Sequence, residues 1–126
     1  MTLLWQDSYK IGDADIDAQH QKLFDLVNTF LAATDKAGLT LGAMRLFKYT
    51  REHFAHEESL MRKLKYPAIK AHVAQHNALL SRLNAVADSI YKDTLDRADL
   101  ASFLSDWLVQ HIGNCDTKLA AYIKLQ

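Results

Sequence analysis

The sequence predicts an all-α protein, an up-down-up-down antiparallel four-helix bundle with an extended N-terminal arm. Its 126 residues include only four glycines and one proline, so few positions break a helix. Apolar residues recur three and four positions apart along most of the chain, which is the pattern of helices with one buried face. Short interruptions divide this pattern, and short connections between long helices make neighbours antiparallel. We therefore expect a single domain, 1–126.

The interruptions set the limits of each predicted element. Residues 1–17, with Trp5, Tyr9 and Ile11 among polar neighbours, are expected to form an arm that lies over the bundle, 18–126. Within the bundle, helices are predicted over residues 18–36, 41–64, 69–91 and 96–125, separated by breaks at 36–38, 65–67 and 92–94.

Charge and cysteine content exclude several classes of partner. The 15 basic and 15 acidic side chains leave no net charge, so we expect neither nucleic acid nor an acidic membrane as a partner. No apolar run approaches the roughly 20 residues that span a bilayer, and no signal-peptide pattern opens the chain. A single cysteine, Cys115, cannot form an internal disulfide. The cytoplasm is the expected location.

Polar groups interrupt the inward face of every predicted helix. A buried imidazole or carboxylate without a partner costs several kcal/mol, so a set of them in one small core needs a common explanation. A bound metal centre supplies one. Five of the six histidines and two carboxylates form this set: His20, His53, Glu57, His72, His76, His111 and Asp116.

The spacing of these residues favours convergence. His53 with Glu57, and His72 with His76, are four apart, which places each pair only about 40° and 6 Å apart on an ideal helix. Two facing pairs can hold the same ion. His111 and Asp116 are five apart, about 140° around an ideal helix, which requires either a local distortion or a carboxylate that reaches sideways.

The number and type of ligands favour two ions. A tetrahedral zinc site needs four ligands, so seven are too many for one such ion, whereas two ions that share bridging carboxylates use them all. Imidazole-rich ligation without thiolate suits iron, copper, nickel or zinc, and the carboxylates favour iron. A purely structural pair of zinc ions is a weaker alternative, because the apolar faces should hold the bundle without metal.

Four stretches of the chain contain these candidate ligands: IDAQHQKLF at 16–24, HFAHEESLM at 53–61, Tyr66-Pro67 followed by His72 and His76, and WLVQHI at 107–112 followed by Asp116. These stretches resemble the bacterial hemerythrins, members of the oxygen-binding di-iron hemerythrin family. They occur in the order and at the spacing of that family and extend over nearly the whole chain.

The resemblance implies an oxo- or hydroxo-bridged pair of iron ions that binds dioxygen reversibly and serves as a carrier, store or delivery protein rather than an enzyme. By the same matching, His72, His76 and His111 would bind one iron, and His20 and His53 the other, which keeps an open position. Glu57 and Asp116 would bridge the two ions. Apolar walls for the dioxygen pocket would come from Leu23, Phe54, Trp107, Leu108 and Ile112.

Alternatives remain open at this point. The chain could sense oxygen or redox state through a partner protein, or act as a di-iron enzyme on peroxide or nitric oxide, for which Tyr49 and Tyr122 are the inward polar candidates. An electron-transfer or oxygen-consuming partner is compatible with the carrier role. His56 and Glu58 are interpreted as flank residues without a metal role. Leu119 stands where the bacterial family usually has an aromatic residue, three positions after the bridging aspartate.

Overall fold

The computed structural model describes residues 3–125, except for the side chains at positions 110 and 113–117. The described chain is helical: a 3-10 turn at Asp7–Tyr9 precedes α1 (Ala14–Ala32), α2 (Lys36–Lys63) and α3 (Ile69–Tyr91). The fourth rod of the bundle consists of α4 (Arg97–Asp106), a π-helical segment (Trp107–Asp116) and α5 (Thr117–Lys124). These rods form the antiparallel four-helix bundle that the sequence predicts.

The first predicted helix lies four residues too late in the sequence. Asp13 caps α1 by accepting a hydrogen bond from the Ile16 backbone N–H at 3.0 Å, so residues 14–17 form the first turn of the helix rather than the end of the arm. The helix also ends at Ala32 and not at 36. The N-terminal arm is therefore shorter than predicted.

The second helix begins five residues earlier than predicted, because Asp35 caps it. The Asp35 side chain accepts from the Gly38 backbone N–H at 2.7 Å, and helix α2 starts at Lys36. The glycine that suggested a break is thus in the first helical turn, and the connection is residues 33–35. By contrast, α3 begins and ends at the predicted residues. Asp96, the predicted first residue of the fourth helix, is its cap, so α4 begins one residue later, at Arg97.

The N-terminal arm is fixed along α1 by polar and aromatic contacts. The Leu3 backbone N–H donates to Asn28 Oδ1 at 2.7 Å, and Asn28 Nδ2 donates back to the Leu3 carbonyl at 2.9 Å. The Trp5 ring packs edge-on against Tyr9 and Phe24, with centroids 5.5 and 5.6 Å apart. The arm therefore covers the outer part of the core, as predicted.

The buried apolar side chains form two clusters. The main cluster includes Phe30, Leu46 and Leu104, each fully buried. The second cluster includes Ile16, Met61 and Leu119. Among the described residues, no helix has both the length and the apolarity needed to cross a membrane.

Candidate metal centre

Six polar side chains are buried together inside the bundle. Each of these side chains belongs to a residue that is at most 5% exposed. Burial of so many imidazoles around one carboxylate is expensive unless their polar atoms interact with one another or with a common cation. Every rod contributes to the set: His20 from α1, His53 and Glu57 from α2, His72 and His76 from α3, and His111 from the π-helical segment.

The Glu57 carboxylate lies between these histidines, and its two oxygens face different ones. Glu57 Oε1 is 2.6 Å from His72 Nε2 and 3.1 Å from His76 Nε2. Glu57 Oε2 is 3.3 Å from His53 Nε2 and 3.5 Å from His20 Nε2. The carboxylate therefore separates the imidazoles into two sets.

Both sets have the geometry of a metal site. Within each, one ligand atom from every member, Glu57 included, lies within 4.8 Å of the others. Among the described residues, Glu57 is the member common to both, which is the position of a ligand that bridges two cations. We call the two sets the three-histidine group, His72, His76 and His111, and the two-histidine group, His20 and His53.

Hydrogen bonds on the outer side fix the ring orientation of one histidine in each group. His76 Nδ1–H donates to Glu58 Oε2 at 2.8 Å. His53 Nδ1–H donates to Gln19 Oε1 at 2.8 Å, and the Gln19 amide is itself oriented because its Nε2 donates to His56 Nδ1 at 2.7 Å. With the proton on Nδ1, the inward Nε2 of a neutral imidazole carries a lone pair.

The positions of the protons on His53 and His76 indicate whether these residues suit metal ions. The Nε2 lone pairs of His53 and His76 lie 3.3 and 3.1 Å from the carboxylate oxygens of Glu57, and a lone pair and a carboxylate oxygen repel each other unless a proton or a metal cation lies between them. Protonating every ring would bury several imidazolium ions in a space that water does not reach, at a large desolvation cost. A hydrogen bond on the outer nitrogen is also the usual support of a metal-bound histidine. The donor set fits metal cations.

The Glu57 carboxyl is ionised in this environment. Burial raises the pKa of Glu57, but the Nε2 atoms of four of the five surrounding histidines outweigh that effect when they carry a proton, and they hold the pKa well below its usual range. Positive charge beside the carboxylate lowers the pKa of Glu57, whether that charge comes from protons or from metal ions. Glu57 is therefore available as an anionic ligand at neutral pH.

The π-helical segment accounts for the unusual spacing of His111 and Asp116. In a π-helix each backbone N–H bonds to the carbonyl five residues earlier, so positions five apart lie about one turn apart. The segment extends over Trp107–Asp116 and thus includes both positions. The sequence left two explanations open, a local distortion of the helix or a carboxylate that reaches sideways. The backbone shows the local distortion. The side chains of Asp116 and Cys115 lie outside the described part of the chain.

Comparison with known proteins identifies the family. Residues 12–123 match the family model described as "Hemerythrin HHE cation binding domain". The chain belongs to the hemerythrin family.

Relatives and solved structures agree with this assignment. The chain is 31% identical to a bacteriohemerythrin of Stenotrophomonas maltophilia over 125 residues, which is 97% of this chain and 82% of the relative. It is 30% identical to myohemerythrin-1 of Phascolopsis gouldii over 115 residues, 91% of this chain and 89% of the relative. The crystal structure of a wild-type hemerythrin superimposes with a TM-score of 0.85 at 25% identity, covering 96% of this chain and 97% of that one.

The five side chains that are predicted to wall the dioxygen pocket all lie in the main apolar cluster. Each is at most 4% exposed. Phe54 stacks on the His76 ring with centroids 3.7 Å apart and planes 3° apart, and its edge faces His111 at 5.6 Å. Apolar side chains therefore lie directly against the histidines. The walls are Leu23, Phe54, Trp107, Leu108 and Ile112.

The inward tyrosines do not present a ready proton donor. The Tyr122 hydroxyl donates to the Leu64 carbonyl at 2.9 Å, at the end of α2. Tyr49 is half-buried, and burial together with the nearby Glu52 carboxylate raises its pKa, so it holds its proton at neutral pH. Leu119, at the position where an aromatic is usual, is fully buried in the second apolar cluster.

Sequence reasoning missed the outer hydrogen bonds of Gln19 and Glu58. Gln19 was not singled out, and Glu58 was interpreted only as a solvated or salt-bridged flank residue. The usable signal was position: each directly adjoins a candidate ligand, His20 and Glu57 respectively, so its side chain lies at the edge of the buried layer. His56 is exposed, in agreement with its predicted place on the flank.

Proposed function

We propose that this chain binds dioxygen reversibly at a pair of iron ions. The observation that carries the proposal is the division of five buried imidazoles by one carboxylate into groups of three and two. The pair of iron ions, when bound, supplies the electrons for reversible dioxygen binding. Iron is preferred over zinc because zinc has no redox chemistry with which to supply these electrons, and because the hemerythrin family includes oxygen-binding proteins.

The proposed ligand assignment follows the two groups. The three-histidine group would hold one ion and the two-histidine group the other, with Glu57 between them. Asp116 is the proposed second bridge, since the π-helical backbone brings position 116 about one turn from His111. The two-histidine group offers one imidazole fewer, and this difference leaves room there for dioxygen.

The apolar walls explain why binding, rather than turnover, is favoured. Phe54 and the other wall residues keep water and proton donors away from the site, and protons are required to release reduced oxygen products. Tyr122 is engaged with a backbone carbonyl, so it offers no free acid. We therefore propose a carrier or store of dioxygen and not an enzyme.

The cellular setting remains a proposal. One cysteine in 126 residues agrees with a reducing compartment, and we propose the cytoplasm. The balanced charge favours neither nucleic acid nor an acidic membrane as a partner. An electron-transfer or oxygen-consuming protein would be the expected partner of a carrier. A sensing role would require a signalling partner that recognises the oxygen-bound form.

The test is an oxygen-dependent absorption spectrum. We expect protein loaded with iron and reduced anaerobically to be nearly colourless, to develop a charge-transfer band in air, and to lose that band on deoxygenation over repeated cycles. Zinc-loaded protein is the matched control and should show no such band. A band that forms once and does not reverse would contradict reversible binding. Sustained oxygen consumption with excess reductant would favour the enzyme alternative instead.

A further inference from the structure

The outer hydrogen bonds of His76 and His53 have the same length, but their acceptors differ in charge. His76 donates from Nδ1 to a carboxylate, Glu58, and His53 donates from Nδ1 to a neutral amide, Gln19, each at 2.8 Å. His76 belongs to the three-histidine group and His53 to the two-histidine group. In these two hydrogen bonds, an acidic partner supports a histidine of the three-histidine group, and an uncharged partner supports a histidine of the two-histidine group.

This difference changes how strongly each imidazole donates electrons. A carboxylate draws the Nδ1 proton toward itself more strongly than an amide does, since a charge-assisted hydrogen bond is about twice as strong as a neutral one. The His76 ring thereby gains anionic character and becomes a more basic ligand at Nε2. A more anionic ligand stabilises the higher charge of a metal ion more than the lower charge.

The buried surroundings of His76 and Glu58 keep water from screening the charge of the Glu58 carboxylate. The His76 side chain is fully buried, and the Glu58 side chain is only 20% exposed, so water weakens their interaction much less than it would at the surface. Phe54 stacked on the His76 ring adds an apolar neighbour on one face. The Glu58 carboxylate is thus close enough, and dry enough, to influence the ion that His76 would hold.

We propose that Glu58 and Gln19 are positioning residues that make the two metal positions unequal. The three-histidine group would hold the ion that stays ferric longer, and the two-histidine group the ion that is reduced first. The inference rests on the proposed pair of iron ions. With iron bound, each reduction would take one electron from an external one-electron reductant and convert one ferric ion to ferrous, and the Nδ1 protons of His76 and His53 would stay in their hydrogen bonds.

Two nearly isosteric substitutions test the proposal with opposite signs. Glu58→Gln removes the charge beside His76 and keeps a hydrogen-bond acceptor, and Gln19→Glu adds a charge beside His53. Glu52→Gln and Gln21→Glu are the matched controls, because they make the same changes of net charge at exposed positions of α2 and α1. If Glu58 and Gln19 only held adjacent helices together, the two substitutions would not shift the reduction potentials of the ions in opposite directions.

The measurement is a reductive titration of the iron-loaded protein, in which Mössbauer spectra assign the valence of each ion. We expect Glu58→Gln to raise the reduction potential of the ion reduced last, and Gln19→Glu to lower that of the ion reduced first. Both changes bring the two potentials closer together. Unchanged potentials, or shifts that match those of the charge controls, would overturn the proposal.

A second readout does not depend on iron or oxygen. In zinc-loaded protein, the nitrogen-15 and proton resonances of the His76 Nδ1–H should move on Glu58→Gln, and those of His53 on Gln19→Glu. Zinc affinity should fall by about 10- to 100-fold when either acceptor is removed by substitution with alanine. If the ring resonances do not respond, the hydrogen bonds themselves are refuted. Absence of the oxygen band with normal resonances would refute only the proposed function.

Discussion

Glu57→Gln is expected to abolish stable binding of the metal pair. The substitution keeps the size of the side chain but removes the one anion common to the three-histidine and two-histidine groups among the described residues. Without it, two cations would lie close together with one bridging carboxylate fewer between them, and their mutual repulsion would be less well compensated. We expect metal affinity to fall by about 100-fold or more, beyond the range typical of losing an outer hydrogen bond.

Metal content and thermal stability together measure this effect. A ligand present at 100 times its Kd stabilises a folded protein by about 2.7 kcal/mol, so the wild-type Tm should rise on adding metal. The Glu57→Gln variant should lose this rise, while its circular dichroism remains helical. Glu52→Gln, at an exposed position five residues earlier on α2, is the control and should behave as the wild type. Two ions bound to Glu57→Gln with wild-type affinity would contradict the assignment.

His53→Ala is expected to abolish oxygen binding without removing the whole centre. The two-histidine group would keep a single imidazole, too few to hold an ion with an open position, whereas the three-histidine group remains intact. We expect about one ion per chain instead of two, no oxygen-dependent band, and largely retained helical content. Elemental analysis, absorption spectra and circular dichroism measure these three quantities.

The same helix provides a matched control for this substitution. His56 lies three residues after His53 on α2 and is exposed. His56→Ala removes an imidazole from the hydrogen bond with Gln19 but takes no proposed ligand away, so both ions and the oxygen band should persist. A wild-type band in His53→Ala, or loss of the band in His56→Ala alone, would contradict the assignment of ligands.

Periodicity predicted the bundle because the apolar faces, not local signals, determine where these helices pack. The third helix, whose stripe includes Leu83 and Ile90, was predicted with its observed limits. The predicted starts of α1 and α2 were wrong because the caps Asp13 and Asp35 determine where these helices begin, ahead of the apolar pattern. Caps depend on one side chain and one backbone N–H, and a periodicity signal does not contain them.

The candidate centre was predictable to the extent that helical spacing determines it. Pairs four residues apart lie on one face, so His72 and His76 could be matched to a common partner. The spacing of His111 and Asp116 predicted a local distortion only as one of two alternatives, because the π-helical hydrogen-bond pattern that distinguishes them follows from packing rather than from composition. The roles of Gln19 and Glu58 depend on contacts between different helices, and those contacts require the packed structure.

Anomalous diffraction at the iron absorption edge, on crystals of the iron-loaded protein, locates the bound ions themselves. We expect two peaks, one surrounded by the Nε2 atoms of the three-histidine group and one beside those of the two-histidine group, with Glu57 between them. A single peak, or peaks only at surface sites away from these histidines, would contradict it.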